Sequence, residues 1–201
     1  GFLPEGFEYS PQTASYAIQF LLALRTAGAD TCGAHCLVQG NPFWDDFLAG
    51  YYHSLSPATQ ADGDGLAAYQ PSWYGDAQTY ASTDLISALG ALGVYDSVAG
   101  NLSRLQSVRW AQTHTPPGGA NQLLRRVSNS DEFRNSLLYF MVYDPALAPA
   151  SDPRTQIPLE HFAPGLNRLL ARTGWDANAN WFSYSLSWSL IDHQHANGNH
   201  F

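Results

Sequence analysis

Through the first two thirds of the chain, apolar residues recur at helical spacing. From Ala14 to Ala27 they fall at Tyr16, Ile18, Phe20, Leu21, Leu24 and Ala27, a broad face for burial. Thr13 is placed to cap that helix and Gly28 to end it. Pro42 opens a second helix over Phe43 to Ser54, since the first turn tolerates its missing N–H. Further helices are predicted over Thr79 to Leu92, Ser97 to Gln112, Ala120 to Val127, and Asp131 to Tyr143 with Ser130 as cap. Ser56 to Gln78 reads as one long loop, and loops of that length are more often functional than idle.

After Asp144 the pattern changes. Pro145, Pro149, Pro153 and Pro158 punctuate a linker. Short runs follow at Leu166 to Thr173, Asn180 to Trp188, and from Leu190 onward. Phe182, Tyr184, Leu186 and Trp188 alternate with Ser183, Ser185, Ser187 and Ser189, which is the period of a strand. Helices first and an antiparallel sheet afterwards predict two segregated layers or two domains. The boundary falls between a helical part at 1–144 and a linker with a sheet at 145–201.

Composition narrows the partners. The 201 residues are 45% hydrophobic and 13% aromatic, enough for a substantial core. Net charge is −8, and all nine basic residues are Arg. No basic stripe is available for nucleic acid. An anionic polymer stays open, because a few Arg and His can line a cleft in an acidic protein. Without Lys there is no Schiff-base or P-loop chemistry. Six Trp and eleven Tyr suit sugar rings, and they equally fill cores. The sequence holds no membrane span. It opens at Gly1 rather than Met, which leaves room for a removed leader.

The chemistry-bearing residues concentrate at the end. Three of the seven histidines lie in the final nine residues. On a strand, His193 and His195 share one face, and Asp192 and Gln194 the other. Such a pair binds a metal, moves protons, or is hydrogen-bonded structurally at an interface. Cys32-Gly33-Ala34-His35-Cys36 lacks the second ligand pair of a zinc site; a local disulfide and two free thiols both fit it. Asp62-Gly63-Asp64-Gly65 does not have EF-hand spacing and reads as turn chemistry.

Four elements in order resemble the heparinase II/III-like polysaccharide lyases. Pro4-Glu5-Gly6 followed by Tyr9 is similar to that family's "PEG…Y" element. Pro57 with the later Gly75-Asp76 is similar to its "P-D-G … G-D" loop. Arg172-Thr173-Gly174-Trp175-Asp176 resembles its "R-x-x-W" strand, and Asp192-His193-Gln194-His195 with Gly198 and Phe201 its "H-x-H-x-D-x-G-x-F" element. The chain departs from the pattern in two places, at three residues. Phe2 and Leu3 stand where many relatives carry His or Asn, and Asn197 stands where Asp is usual.

The resemblance implies a mainly α chain with a C-terminal β part: a partial (α/α) toroid followed by the first strands of an antiparallel β-sandwich. It implies β-elimination on a uronate-containing acidic polysaccharide, in a periplasmic or secreted protein. Elimination needs the carboxylate neutralised and two groups that exchange protons, typically Tyr and His. His193 matches the catalytic His. Tyr51 and Tyr52 both stand where the toroid Tyr belongs; on a helix they point about 100° apart, so one can face a cleft, and Tyr52 is preferred. Glu5, Tyr9, Trp73, Asp76 and Arg172 are the candidate substrate contacts. The bland alternatives are a helix-start carboxylate for Glu5, a turn cap for Asp76 and a salt bridge at the domain junction for Arg172. His195 matches a histidine that ligates a structural zinc in some members, with its other ligands expected beyond Phe201. Catalysis itself calls for no cofactor. The competing functions are an α-toroid glycoside hydrolase using carboxylates such as Glu5 and Asp76, and a non-catalytic carbohydrate-binding or structural fragment.

Overall fold

A computed structural model describes residues 6–30, 36–72, 82–119, 133–134, 136–137, 140–141, 151–187 and 197–200. Over them the chain is mixed α/β, with four long helices and two small antiparallel sheets. The helices are α1 (Gly6–Thr26), α2 (Pro42–Ser54), α3 (Ser82–Ala99) and α4 (Leu102–His114). Helical backbone recurs within 133–141. The helix expected at Ala120 to Val127 lies outside the described residues. Among the described residues no helix is long and apolar enough to cross a membrane.

Helix α1 starts earlier than expected. Thr13 does not cap it, because the helix runs through Pro11 and forgoes one backbone bond there. Its end is as expected: Gly28 takes φ +71°, and its N–H and that of Ala29 close on Arg25 and Leu24 carbonyls. Asn41 caps α2 through Phe43 N–H at 3.0 Å. Cys36, just before it, is disulfide-bonded.

α3 is the central helix, with Leu85, Ile86, Leu89, Leu92 and Tyr95 all fully buried between its neighbours. It runs on to Ala99, past the end expected at Leu92. Gly93 is therefore a packing residue and not a stop. A Cβ there would lie 3.3 Å from Val108 Cγ1 of α4. The break comes at Gly100, with φ +78°, and Asn101 caps α4. Behind that corner, Arg104 grips Asp96 with two hydrogen bonds, of 2.6 and 2.9 Å.

The region read as a loop is in part a β-hairpin, β1 (Leu55–Ala61) with β2 (Ala67–Pro71). Asp62-Gly63-Asp64-Gly65 forms its turn. Asp62 Oδ1 accepts from Asp64 and Leu66 N–H, and Gly65 takes φ +76°.

The second sheet is an antiparallel meander: β3 (Glu160–Ala163), β4 (Arg168–Arg172), β5 (Trp181–Ser187) and β6 (Asn197–His200). The alternating run does form a strand, β5, yet its serine side is the one turned inward. Ser185 is 6% exposed and Phe182 47%. The reason lies on β4, where Arg168 pairs with Ser185 and Arg172 with Trp181 on the inward face. Arg168 Nη2 reaches Ser183 Oγ at 3.1 Å, so small hydroxyls are needed beside it. Leu166 and Trp175 join the same buried cluster as the helices.

Candidate functional site

Of the residues singled out from the sequence, Tyr51, Tyr52 and Arg172 meet at the C-terminal end of α2. Tyr51 and Tyr52 are adjacent there, and both are fully buried. Tyr51 donates to Thr115 Oγ1 at 2.6 Å. Tyr52 donates to the Ser107 carbonyl at 2.6 Å and accepts from Ser107 Oγ at 3.2 Å. Burial pushes the Tyr52 phenol well above its ordinary pKa, so it is held protonated. Both hydroxyls are thus engaged inside the core rather than presented across a cleft.

Arg172 is not placed as a substrate contact. It is 6% exposed, and its Nη2 donates to the carbonyls of Tyr52 (3.2 Å), His53 (3.0 Å) and Leu55 (2.8 Å). They cluster at the C-terminus of α2, where backbone carbonyls converge and a cation is favoured by the helix dipole. Its guanidinium lies 4.0 Å from the Trp175 ring centroid, so the Arg-x-x-Trp pair is one stacked unit. Burial, with Arg154 nearby, lowers its pKa to about 10, which leaves it charged at neutral pH.

His53 fills the seam between α2 and the sheet. It is fully buried, and neither ring nitrogen has a hydrogen-bond partner of good geometry. Its ring stacks on His161 of β3 at 5.6 Å and meets Trp175 edge-on at 4.9 Å. Its carbonyl accepts from Trp181 Nε1 at 2.9 Å. Burial lowers its pKa to about 4; Arg172 and His161 add to this, and the Pro158 backbone offsets it only in part.

Arg154 clamps the preceding 3₁₀ turn, Pro153–Gln156, onto this region. It makes a bidentate contact with Asp152 and lies 4.5 Å from the Trp110 ring, with Tyr69 and Trp175 at 5.7 Å. Of this seam, the sequence pointed to Arg172 and Trp175 through the Arg-x-x-Trp element, but not to His161, Arg154 or Trp181.

An open cleft of about 390 Å³ runs between α2 and α4, closed at one side by Ile157. Asp45, Leu48 and Ala49 line it from α2, and Asn101, Ser103, Arg104 and Ser107 from the α4 side. It is of ligand size. Tyr52 sits directly behind Ser107. Arg104 spends its charge on Asp96 and, at 3.4 Å, on Asp45. Burial opposes that charge, but the Asp96 carboxylate outweighs it and raises the Arg104 pKa. Asp45 and Arg104 are the two charged residues of the lining and pair with each other, while Asp96 is buried behind them. With Asn101, Ser103 and Ser107 beside them, the lining offers hydrogen bonds to sugar hydroxyls.

Of the remaining candidates, Tyr9 lies half-buried in the first turns of α1. Glu5, Trp73, Asp76, His193 and His195 lie outside the described residues. Among the described residues no group of three or more His, Cys, Asp or Glu could hold a metal. A structural zinc therefore finds no ligand set there, and no chemical step is routed through one. No family model matches the chain, and no curated protein and no solved structure matches it.

Proposed function

We propose that the chain acts on a uronate-containing polysaccharide by β-elimination, as a polysaccharide lyase with an (α/α) toroid part and the first strands of a β-sandwich. The observation that carries this is the Arg172–Trp175 unit. It fastens the strand bearing the "R-x-x-W" element onto the C-terminus of the helix bearing Tyr51 and Tyr52. In such a lyase the helical part with its tyrosine and the β part with its histidine must be held together if the two are to face one substrate.

In this scheme His193 takes the C5 proton and a tyrosine protonates the leaving oxygen. Tyr52 is the better candidate, because its partner Ser107 lines the cleft. Its raised pKa fits a proton donor and not a base. To act, it must exchange the Ser107 carbonyl for a sugar oxygen. The carboxylate-neutralising group falls to residues other than Arg104 and Arg172, which are already engaged. Export to the periplasm or beyond belongs to the same proposal and accords with the disulfide at Cys36.

The buried hydroxyls of Tyr51 and Tyr52 favour a second reading, a non-catalytic sugar-binding or structural role. Incubation with polyuronates separates the two. Elimination creates a double bond that absorbs in the ultraviolet, and that rise is expected to vanish in His193→Ala and fall at least tenfold in Tyr52→Phe, about 1.4 kcal/mol or more. Binding with no rise in absorbance supports the second reading. New reducing ends without absorbance support the hydrolase.

A further inference from the structure

We propose that the seam between α2 and the four-stranded sheet is an acid-operated latch, in which protonation of the stacked His53–His161 pair beside Arg172 frees the sheet from α2. The inference goes beyond the lyase reading and does not depend on it. It starts from a mismatch in how the seam is held. The backbone side is well bonded: Arg172 and Trp181 both grip α2 carbonyls, including that of His53. The side-chain side is not. Both ring nitrogens of His53, and Nε and Nη1 of Arg172, are buried with no hydrogen-bond partner of good geometry. While His53 is neutral, that arrangement costs only unmade hydrogen bonds. Once it is protonated, a second cation lies buried beside Arg172 with only the Pro158 backbone to offset it, and its ring stacks on another imidazole whose charging burial also opposes.

The charges around the pair do not rescue it. β4 supplies Arg172 and Arg168, and the preceding turn supplies Arg154. Asp46 of α2 favours a charged His161, but burial outweighs it and lowers the His161 pKa. Asp152 is already committed to Arg154. Glu160 of β3 is exposed. The helical layer is held by the buried apolar faces of α1, α3 and α4, which acid does not charge. The weak point under acid is therefore the seam.

Indole N–H signals in nitrogen-15 spectra test this directly. Trp181 donates to His53 O and Trp175 to Ile157 O, so both report the seam. Trp44 donates to Leu37 O and reports the helical layer. As pH falls from 7 to 4, the two seam signals are expected to leave their native positions before that of Trp44. His53→Phe keeps the ring stack and the backbone bonds, and is expected to move the seam transition down by about one pH unit or more. If that variant gives no native spectrum, His161→Phe serves the same purpose with the same expectation. Simultaneous loss of all three signals in the wild type would overturn the latch in favour of global unfolding. So would a seam transition at the wild-type pH in either variant, or a His53 imidazole that titrates near 6.5 with the seam intact.

Discussion

Arg172 closes the end of α2, stacks on Trp175 and borders His53. Lys has neither the planar fork nor the stacking face for this. Arg172→Lys is expected to cost about 2–3 kcal/mol, from charge-assisted bonds and lost stacking. Urea unfolding measures it, and a loss under about 0.5 kcal/mol would mean that water satisfies those carbonyls as well. His53 gives the pH dependence. Its folded pKa is about 4, below the unfolded 6.5, so the unfolded chain binds the extra proton first. That contribution is fully present above about pH 6.5 and lost as pH falls towards 4, amounting to about 3 kcal/mol. Unfolding free energies across that range check it, and His53→Phe is expected to flatten the slope. From sequence, His53 and Arg172 were visible as residues, but not as neighbours. They are 119 positions apart in the chain, and only the sheet's docking brings them together.

The helices and strands were legible to different degrees. α2 was read correctly because Pro42 and the apolar run agree on one start, which Asn41 caps in the fold. α1 and α3 were cut short because Pro11 and Gly93 look like breaks when read locally. In the fold, Pro11 sits inside the helix, and Gly93 makes room for Val108. Two glycine substitutions tell these roles apart. Gly93→Ala places a Cβ 3.3 Å from Val108 Cγ1 and is expected to cost about 1–2 kcal/mol through overpacking. Gly100→Ala meets no neighbour, but it must hold φ +78°, for about 1 kcal/mol. Thermal melts of both rank them, and a neutral Gly93→Ala would show that the α3–α4 contact is looser than drawn. The hairpin β1–β2 was missed because Pro57 and the Asp-Gly pairs read as loop, while the register that makes a strand lies in the pairing. β5 was found by its alternation, but its buried side was not. Alternation fixes the period, and the arginines of the neighbouring strand chose the face.

At the scale of the molecule, the four-stranded sheet that follows the helices was legible in the late change of hydrophobic period, but the β1–β2 hairpin between α2 and α3 breaks the helices-first order. The way the layers join was not legible. It depends on buried arginines and histidines; a junction role was open for Arg172, but which backbone groups and rings it would meet lies only in the fold. The same seam is what gives the lyase proposal its geometry, and what makes acid the condition under which that geometry should fail. A lyase of this build is expected to lose activity reversibly below about pH 5 as the seam opens, ahead of helix loss followed by circular dichroism. Activity that persists until the helices melt would separate function from the seam. The most direct measurement is the mass of the oligosaccharide released from a polyuronate. Elimination takes up no water, so the expected product is one water lighter than the hydrolytic product, and it should be absent with His193→Ala. A product carrying that water, or one that still forms in His193→Ala, would contradict the proposal.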